Sequence, residues 1–146
     1  MTRPVVALAL HVCALAACAH TRTPSWFVRM ERTECLGHCP VYAVTLYQDG
    51  AVEFQGEKNL PRGTEWRTVA PSEVERLARA AEQVPAWQCA TDRIVTDHPS
   101  AVVTVSRGHP TRRFVHDHGD PCAPFDMFLL EADIDRAAGT ARFTPP

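Results

Sequence analysis

Two β-rich stretches separated by Asp49-Gly50 constrain the fold more than any other feature of this sequence. Residues 41–47 read VYAVTLY and residues 51–56 read AVEFQG, and both are rich in β-branched and aromatic residues. An Asp-Gly pair between such stretches is typical of a β-hairpin, because the tight primed turns require a positive φ at their central residues. Strand alternation then places five side chains on one face, where we expect part of the core: Tyr42, Val44, Leu46, Val52 and Phe54.

Downstream of this hairpin, the sequence predicts a strand and a helix, and then a second hairpin and a second helix. In chain order these segments are 64–69, 70–84, 101–107, 111–118 and 124–139. The helices carry apolar residues at the spacing of one buried face: Val74, Leu77, Ala78 and Ala81 in the first, and Met127, Leu130, Ile134 and Ala138 in the second. Residues 26–31 are a weaker candidate for a short strand. The order predicts an α+β domain, with an antiparallel sheet of about five strands and two helices packed on one face.

The first eighteen residues predict export. Arg3 precedes an apolar stretch, residues 4–17, that is too short to span a bilayer comfortably. The stretch ends in Leu15-Ala16-Ala17-Cys18, which resembles the bacterial lipobox, where the cysteine receives acyl chains such as palmitate and becomes the first mature residue. We therefore expect a signal peptide at 1–17, a lipidated tether at 18–25 and a single domain at 26–146. The alternative is an ordinary secretory signal cut after Ala17 or Ala19, which also exports the chain.

Location and partners follow from this anchor and from the charge. The formal net charge of −2 provides no basic field that would attract nucleic acid. Ala19, rather than aspartate, after the lipidated cysteine favours the outer membrane of a diderm bacterium. We expect a cell-envelope protein that faces the periplasm and is held to the membrane by its N-terminal lipid. Its other partner would be an envelope protein or ligand of unknown identity.

Four cysteines remain once Cys13 leaves with the signal peptide and Cys18 takes the lipid: Cys35, Cys39, Cys89 and Cys122. An even number in an exported protein favours disulfide bonds, and four cysteines allow three pairings. We favour Cys35 with Cys39, a local staple whose loop Gly37 allows to turn, and Cys89 with Cys122, which would tie together the ends of the two helices. Bridges from Cys35 or Cys39 to the distant cysteines stay open.

The spelling Cys35-x-x-x-Cys39-Pro40 also resembles the Sco-type copper chaperones, in which two thiolates and a distant histidine bind the metal. In that family the motif leads into a helix, whereas here a predicted strand follows. A thiol oxidoreductase is a further alternative, although the usual redox motif separates its cysteines by two residues at a helix N-terminus. The metal alternative would use Cys35 and Cys39 with one or more histidines, namely His38, His116 or His118.

His116 and His118 lie two residues apart on a predicted strand and therefore share a face. Two imidazoles on one face can bind zinc, and Asp120 or His98 could complete such a site. The alternative is a solvated end of an edge strand.

No recognised catalytic motif occurs in this sequence, whether a P-loop, a dinucleotide-binding fingerprint, a nucleophile elbow or a His-Glu-x-x-His motif. Asp97 and His98 are adjacent, but Pro99 indicates an irregular loop in which Asp97 caps a turn. We expect no catalytic residues, no cofactor and a non-catalytic binding or accessory module.

One family resemblance covers most of the predicted domain. The pattern Cys35-x-Gly37-x-Cys39-Pro40-x-Tyr42, followed by Asp49-Gly50-x-Val52-x-Phe54-x-Gly56, resembles an uncharacterised family of bacterial envelope domains. Residues 96–99 (TDHP) and 129–143 (LLEADIDRAAGTARF) resemble the second half of that family, so the likeness spans about residues 30–143. It supports one α+β domain and implies no particular activity. The segment 116–122 (HDHGDPC) is richer in histidine than the resemblance leads us to expect.

Overall fold

The computed structural model describes residues 25–88, 97–108 and 110–144, which form one antiparallel sheet covered by two helices. The strands are β1 (Phe27–Arg32), β2 (Val41–Tyr47), β3 (Ala51–Lys58), β4 (Gly63–Thr68), β5 (Ser100–Ser106) and β6 (Arg112–Asp117). The helices are α1 (Pro71–Gln83) and α2 (Phe125–Ala138), followed by a short 3₁₀ turn at Thr140–Arg142. The predicted α+β class is confirmed. The predicted signal peptide, residues 18–24 of the tether, and Cys89 lie outside the described residues.

The sheet has six strands, against about five predicted, in the order β4-β3-β2-β1-β5-β6. The additional strand is β1, which lies between β2 and β5 and is antiparallel to both. Its sequence signal is weak because three of its six residues are charged. Val28 and Met30 nevertheless alternate into the core, and Arg29 donates a hydrogen bond to Thr45 on the opposite face of the sheet. The central strand therefore joins the two predicted hairpin-plus-helix units.

The Asp49-Gly50 turn lies where the sequence predicts it, but its type differs. The loop between β2 and β3 has three residues, 48–50, and Gly50 alone of them has a positive φ, 87°. Its N–H donates to the Tyr47 carbonyl at 2.8 Å, and the Asp49 carboxylate accepts from the Ala51 N–H at 3.0 Å. A Cβ at Gly50 would collide with the Val69 carbonyl oxygen. A three-residue loop with glycine at its left-handed position replaces the expected primed turn.

Both helices pack on the same face of the sheet, as predicted. The four apolar residues predicted for each helix are all buried there, together with the five predicted from β2 and β3. Helix α2 ends at Gly139, whose φ of 63° is the left-handed conformation that closes many helices. Arg67 of β4 donates to the carbonyl of Ala138 at 2.8 Å and secures this end of α2. No helix among the described ranges is long and apolar enough to cross a membrane.

The strand register arranges the helix-facing side chains of the sheet in three rows. From β3 to β6, the first row contains Val52, Leu46, Val28, Val105 and Arg112, and the second contains Phe54, Val44, Met30, Val103 and Phe114. The third row differs because it carries polar groups on the central strands β1 and β2 as well as on β6: Gly56, Tyr42, Arg32, Ala101 and His116. Since a helix buries this row, its polar groups need hydrogen-bond partners from that helix.

Candidate functional site

Helix α2 supplies these partners from Glu131 and Asp135, which lie one helical turn apart. They contact four residues of the sheet side, and we call the resulting group the Arg32 cluster: Arg32, Tyr42, His116, His118, Glu131 and Asp135. Arg32 ends β1, Tyr42 lies in β2, His116 lies in β6 and His118 follows that strand. The small side chain of Ala101 separates Arg32 from His116 in the row and leaves space for both.

Glu131 is the buried centre of the Arg32 cluster. One carboxylate oxygen accepts a hydrogen bond from Arg32 Nη1 at 2.7 Å and lies 2.8 Å from His118 Nε2. The other lies 2.5 Å from His116 Nδ1. Arg32 Nη1 and His118 Nε2 thus contact the same oxygen of Glu131. These two nitrogens are 3.0 Å from each other. A buried carboxylate is costly unless it is paired and hydrogen-bonded, and three groups meet that need here.

The Asp135 carboxylate accepts hydrogen bonds from three side chains. Arg32 Nη2 donates to its Oδ2 at 2.8 Å, and the Tyr42 hydroxyl donates to its Oδ1 at 2.6 Å. The Thr140 hydroxyl, just beyond the end of α2, donates to the same oxygen at 2.9 Å. One guanidinium thus links the Glu131 and Asp135 carboxylates of α2 to the sheet.

The pKa values of Arg32 and Tyr42 follow from burial and from these contacts. Burial opposes the charge on Arg32, but the carboxylates of Asp135 and Glu131 outweigh this and raise its pKa above the ordinary value. Burial and the nearby Asp135 carboxylate raise the pKa of Tyr42 to about 12. At neutral pH, Arg32 is therefore a cation and Tyr42 a neutral donor.

His116 is fully buried between aromatic rings. Phe128 of α2 lies edge-to-face against it at 4.4 Å between ring centroids, and Trp87 approaches at 6.3 Å. Its Nε2 atom finds no hydrogen-bond partner among the described residues. The alternative to metal binding was that both histidines lie at the solvated end of an edge strand. β6 is an edge strand, but this alternative is wrong for His116, which is buried. Of the two histidines, only His118 is partly exposed.

The structure completes the predicted histidine pair with a residue that the sequence analysis missed. Ligand atoms of His116, His118 and Glu131 lie within 4.8 Å of one another. Asp120 instead accepts from Trp87 Nε1 at 3.0 Å, and His98 is exposed in the turn before β5. The sequence does contain a signal for Glu131, which lies four residues after Met127 and three before Ile134. Helical spacing therefore places this acid on the predicted buried face.

Cys35 and Cys39 are joined in a disulfide bond, with their Cα atoms 5.7 Å apart. The bond closes the β1–β2 connection, so the stapled loop joins Arg32, at the end of β1, to the start of β2, where Tyr42 is the second residue. Cys39 also accepts a hydrogen bond at its carbonyl from the Asn59 side chain at 2.8 Å. Neither cysteine nor the exposed His38 belongs to the group of metal-ligand atoms found among the described residues.

Cys122 also takes part in a disulfide bond. The predicted partner, Cys89, lies outside the described residues, so the Cys89–Cys122 pairing stays a prediction.

The two stretches on which the family resemblance rests meet at the Arg32 cluster. Tyr42 comes from the cysteine-containing stretch, and Glu131 and Asp135 come from residues 129–143. A search of curated proteins finds no match to this chain. Residues 27–138, which include all six strands and both helices, match a family described as a domain of unknown function (DUF6438). The chain therefore belongs to the DUF6438 family.

Proposed function

We propose that this chain is a lipid-anchored protein of the bacterial cell envelope whose domain is a non-catalytic binding or accessory module. The observation that carries the proposal is Leu15-Ala16-Ala17-Cys18 at the end of a short apolar stretch. Cys18 would carry the lipid, and Ala19 would direct the protein to the outer membrane, facing the periplasm. The family match begins at residue 27, so the lipobox and the tether precede the family domain.

The disulfide bond between Cys35 and Cys39 supports export. Disulfides persist in oxidising compartments and are rare where thiols are kept reduced. Bonded sulfurs are also unavailable as metal ligands or as attacking thiolates, which favours the binding module over copper handling or thiol oxidoreduction. Counting free thiols in the purified mature protein separates these proposals. No free thiol supports the module, whereas two reactive thiols at Cys35 and Cys39 support either alternative.

The tether is short enough to keep the domain close to the membrane. Fully extended, the chain from Cys18 to Phe27 spans at most about 32 Å. A partner that binds the domain would therefore be a molecule of the envelope.

The face of the sheet opposite α1 and α2 supports a protein partner. Trp66 is 60% exposed on this face and stacks on Tyr47 at 6.1 Å between ring centroids. Arg29 lies on the same face, hydrogen-bonded to Thr45. Tryptophan, tyrosine and arginine are enriched in protein interfaces. We therefore propose an envelope protein as the partner.

Anchoring is tested by Cys18→Ala. We expect the variant to leave the membrane fraction or to stay unprocessed, because buried acyl chains supply about 0.8 kcal/mol of membrane affinity per CH₂. A variant that is processed normally and still sediments with membranes would refute the lipid anchor.

The binding surface is tested by crosslinking in native membranes. Trp66→Ala should lose the crosslinked partner, whereas Phe125→Ala should retain it, since Phe125 is equally prominent but lies on α2, on the other side of the sheet. Equal capture by both variants would count against the uncovered face of the sheet.

A further inference from the structure

We propose that His116, His118 and Glu131 form a binding site for a divalent transition metal ion, with zinc as the ion to test. Two imidazoles and one carboxylate are the protein ligands of many zinc sites that leave a fourth position for water. Here they come from β6, from the residue directly after it and from α2, which only the tertiary fold brings together. All three ligand atoms lie within 4.8 Å of one another.

The second observation is the orientation of His116. This residue is fully buried, and its Nδ1 atom faces the Glu131 carboxylate at 2.5 Å, so Nδ1 is the nitrogen that would bind the same ion as Glu131 and His118 Nε2. Its Nε2 atom points to a different side of the ring and takes no part in the site. Phe128 and Trp87 pack against the ring, so the environment of an ion would be apolar on that side and open beside His118, which is partly exposed.

The donor set also selects the kind of metal. The cysteines of the nearby loop are bonded to each other, so the site has no thiolate that would favour copper(I). Imidazole nitrogen and carboxylate oxygen suit zinc(II). Ligand atoms on a tetrahedral zinc ion lie about 3.3 Å apart. His118 Nε2 and Glu131 are now 2.8 Å apart, so zinc requires these side chains to separate by about half an ångström.

Arg32 is the competitor of the metal. Its Nη1 atom contacts both Glu131 and His118, whereas Nη2 is held separately by Asp135. Zinc would displace the Nη1 contacts while the guanidinium keeps its pairing with Asp135. Removal of this competing cation should therefore strengthen zinc binding.

The test is a calorimetric titration of the mature protein, purified in detergent and stripped of metal, with zinc chloride at neutral pH. We expect one equivalent to bind and the melting temperature to rise. Glu131→Gln and His118→Gln should each weaken binding by at least about tenfold, the range seen even for groups that only support a metal ligand. His118→Gln keeps the test informative if Glu131→Gln unfolds, because His118 is partly exposed and lies beyond the end of β6.

Two matched controls separate this site from zinc bound elsewhere. His98→Gln removes an exposed histidine outside the Arg32 cluster, and Glu73→Gln removes a carboxylate on α1. Both should leave the affinity unchanged, and Arg32→Gln should increase it. Absence of stoichiometric binding, or binding that Glu131→Gln and His118→Gln leave intact, would overturn the proposal. Weaker binding in Arg32→Gln would overturn the competition between the guanidinium and the metal.

Discussion

The two helices lie on the same face of one sheet, yet only one of them buries a charged side chain. Helix α1 buries only apolar residues, namely Val74, Leu77, Ala78 and Ala81. Helix α2 also buries apolar residues, but it includes Glu131 among them and places Asp135 one turn later. Ionic contacts of α1 are peripheral, as in the pairs of Arg107 with Glu75 and Glu82, whereas those of α2 reach the centre of the sheet at Arg32.

The two helices are therefore held by different forces. Apolar packing is non-directional and tolerates small shifts, so the buried face of α1 restrains this helix without fixing it to one position. Its directional contacts with the sheet lie at its C-terminal end, where Arg112 donates to the carbonyls of Ala81, Glu82 and Val84. The contacts of Glu131 and Asp135 are directional and require one position of α2 over the third row. Position along the sheet is therefore specified more strictly for α2 than for α1.

The largest expected effect tests this asymmetry. Arg32→Ala should reduce the free energy of unfolding by about 3–5 kcal/mol, because it leaves the buried Glu131 carboxylate without its cation. Arg107→Ala is the matched control and should cost less than about 1 kcal/mol, since its pairs are partly exposed. Urea unfolding measures both. Equal losses would show that the ion pairs of the two helices are equivalent.

Apolar packing should matter for both helices. Leu77→Ala in α1 and Ile134→Ala in α2 should each cost about 2–5 kcal/mol, because both side chains are fully buried. Thermal unfolding of the two variants checks this. Melting temperatures within a degree or two of the wild type would contradict the packing of both helices.

Alkaline pH should weaken the attachment of α2. The pKa of Tyr42 is raised to about 12 in the folded chain, against an ordinary value of 10.0. The neutral Tyr42 hydroxyl therefore stabilises the fold fully below about pH 10. As the pH rises towards about 12, the free energy of unfolding should fall by about 2 kcal/mol. Tyr42→Phe should remove this alkaline component in urea unfolding at pH 9–12.

Tyr47→Phe is the matched control for Tyr42→Phe. The pKa of Tyr47 is also raised to about 12, by burial and by its bond to Glu53. It lies on the uncovered face of the sheet, where solvent screens the interaction. A change in the alkaline profile as large as that of Tyr42→Phe would argue against a special role for the third row.

The stapled loop should make the smallest contribution. Replacing Cys35 and Cys39 with serine should cost only about 1–2 kcal/mol, because so short a loop closes at little entropic cost in the unfolded chain. If the staple also positions Arg32 and Tyr42, its loss should couple to Tyr42→Phe by at least about 0.5 kcal/mol in a double-mutant cycle. Additive losses would limit the effect of the staple to its own loop.

Replacing Cys89 and Cys122 should cost more, about 3–4 kcal/mol, if these two cysteines form the longer bridge.

Sequence patterns predicted the elements that depend on local repetition. The apolar stripes of α1 and α2 and the alternation in β2 and β3 were read correctly, because each element shows its buried face through its own period. β1 was read weakly, because its charged residues interrupt the apolar alternation. Its central position is set by pairing with two distant strands.

The Arg32 cluster was only partly foreseen. Sequence spacing placed His116 and His118 on one face, but Asp120 and His98 were the wrong partners. Glu131 is separated from His116 by 15 residues and from Arg32 by 99, and Arg32 from Asp135 by 103. No local period relates residues so far apart.

Short-range patterns in the amino-acid sequence were enough to predict the α+β class, the position of the first hairpin and the apolar face of each helix. These follow from short-range patterns that any compact fold of this chain must bury. The central place of β1 in the sheet, and the contacts of Glu131 with Arg32 and the two histidines, depend on the tertiary structure. Burying a charged group is costly unless an opposite charge or a hydrogen-bonding group lies beside it. For Glu131 those groups are Arg32 and the two histidines, which lie far from it in the sequence.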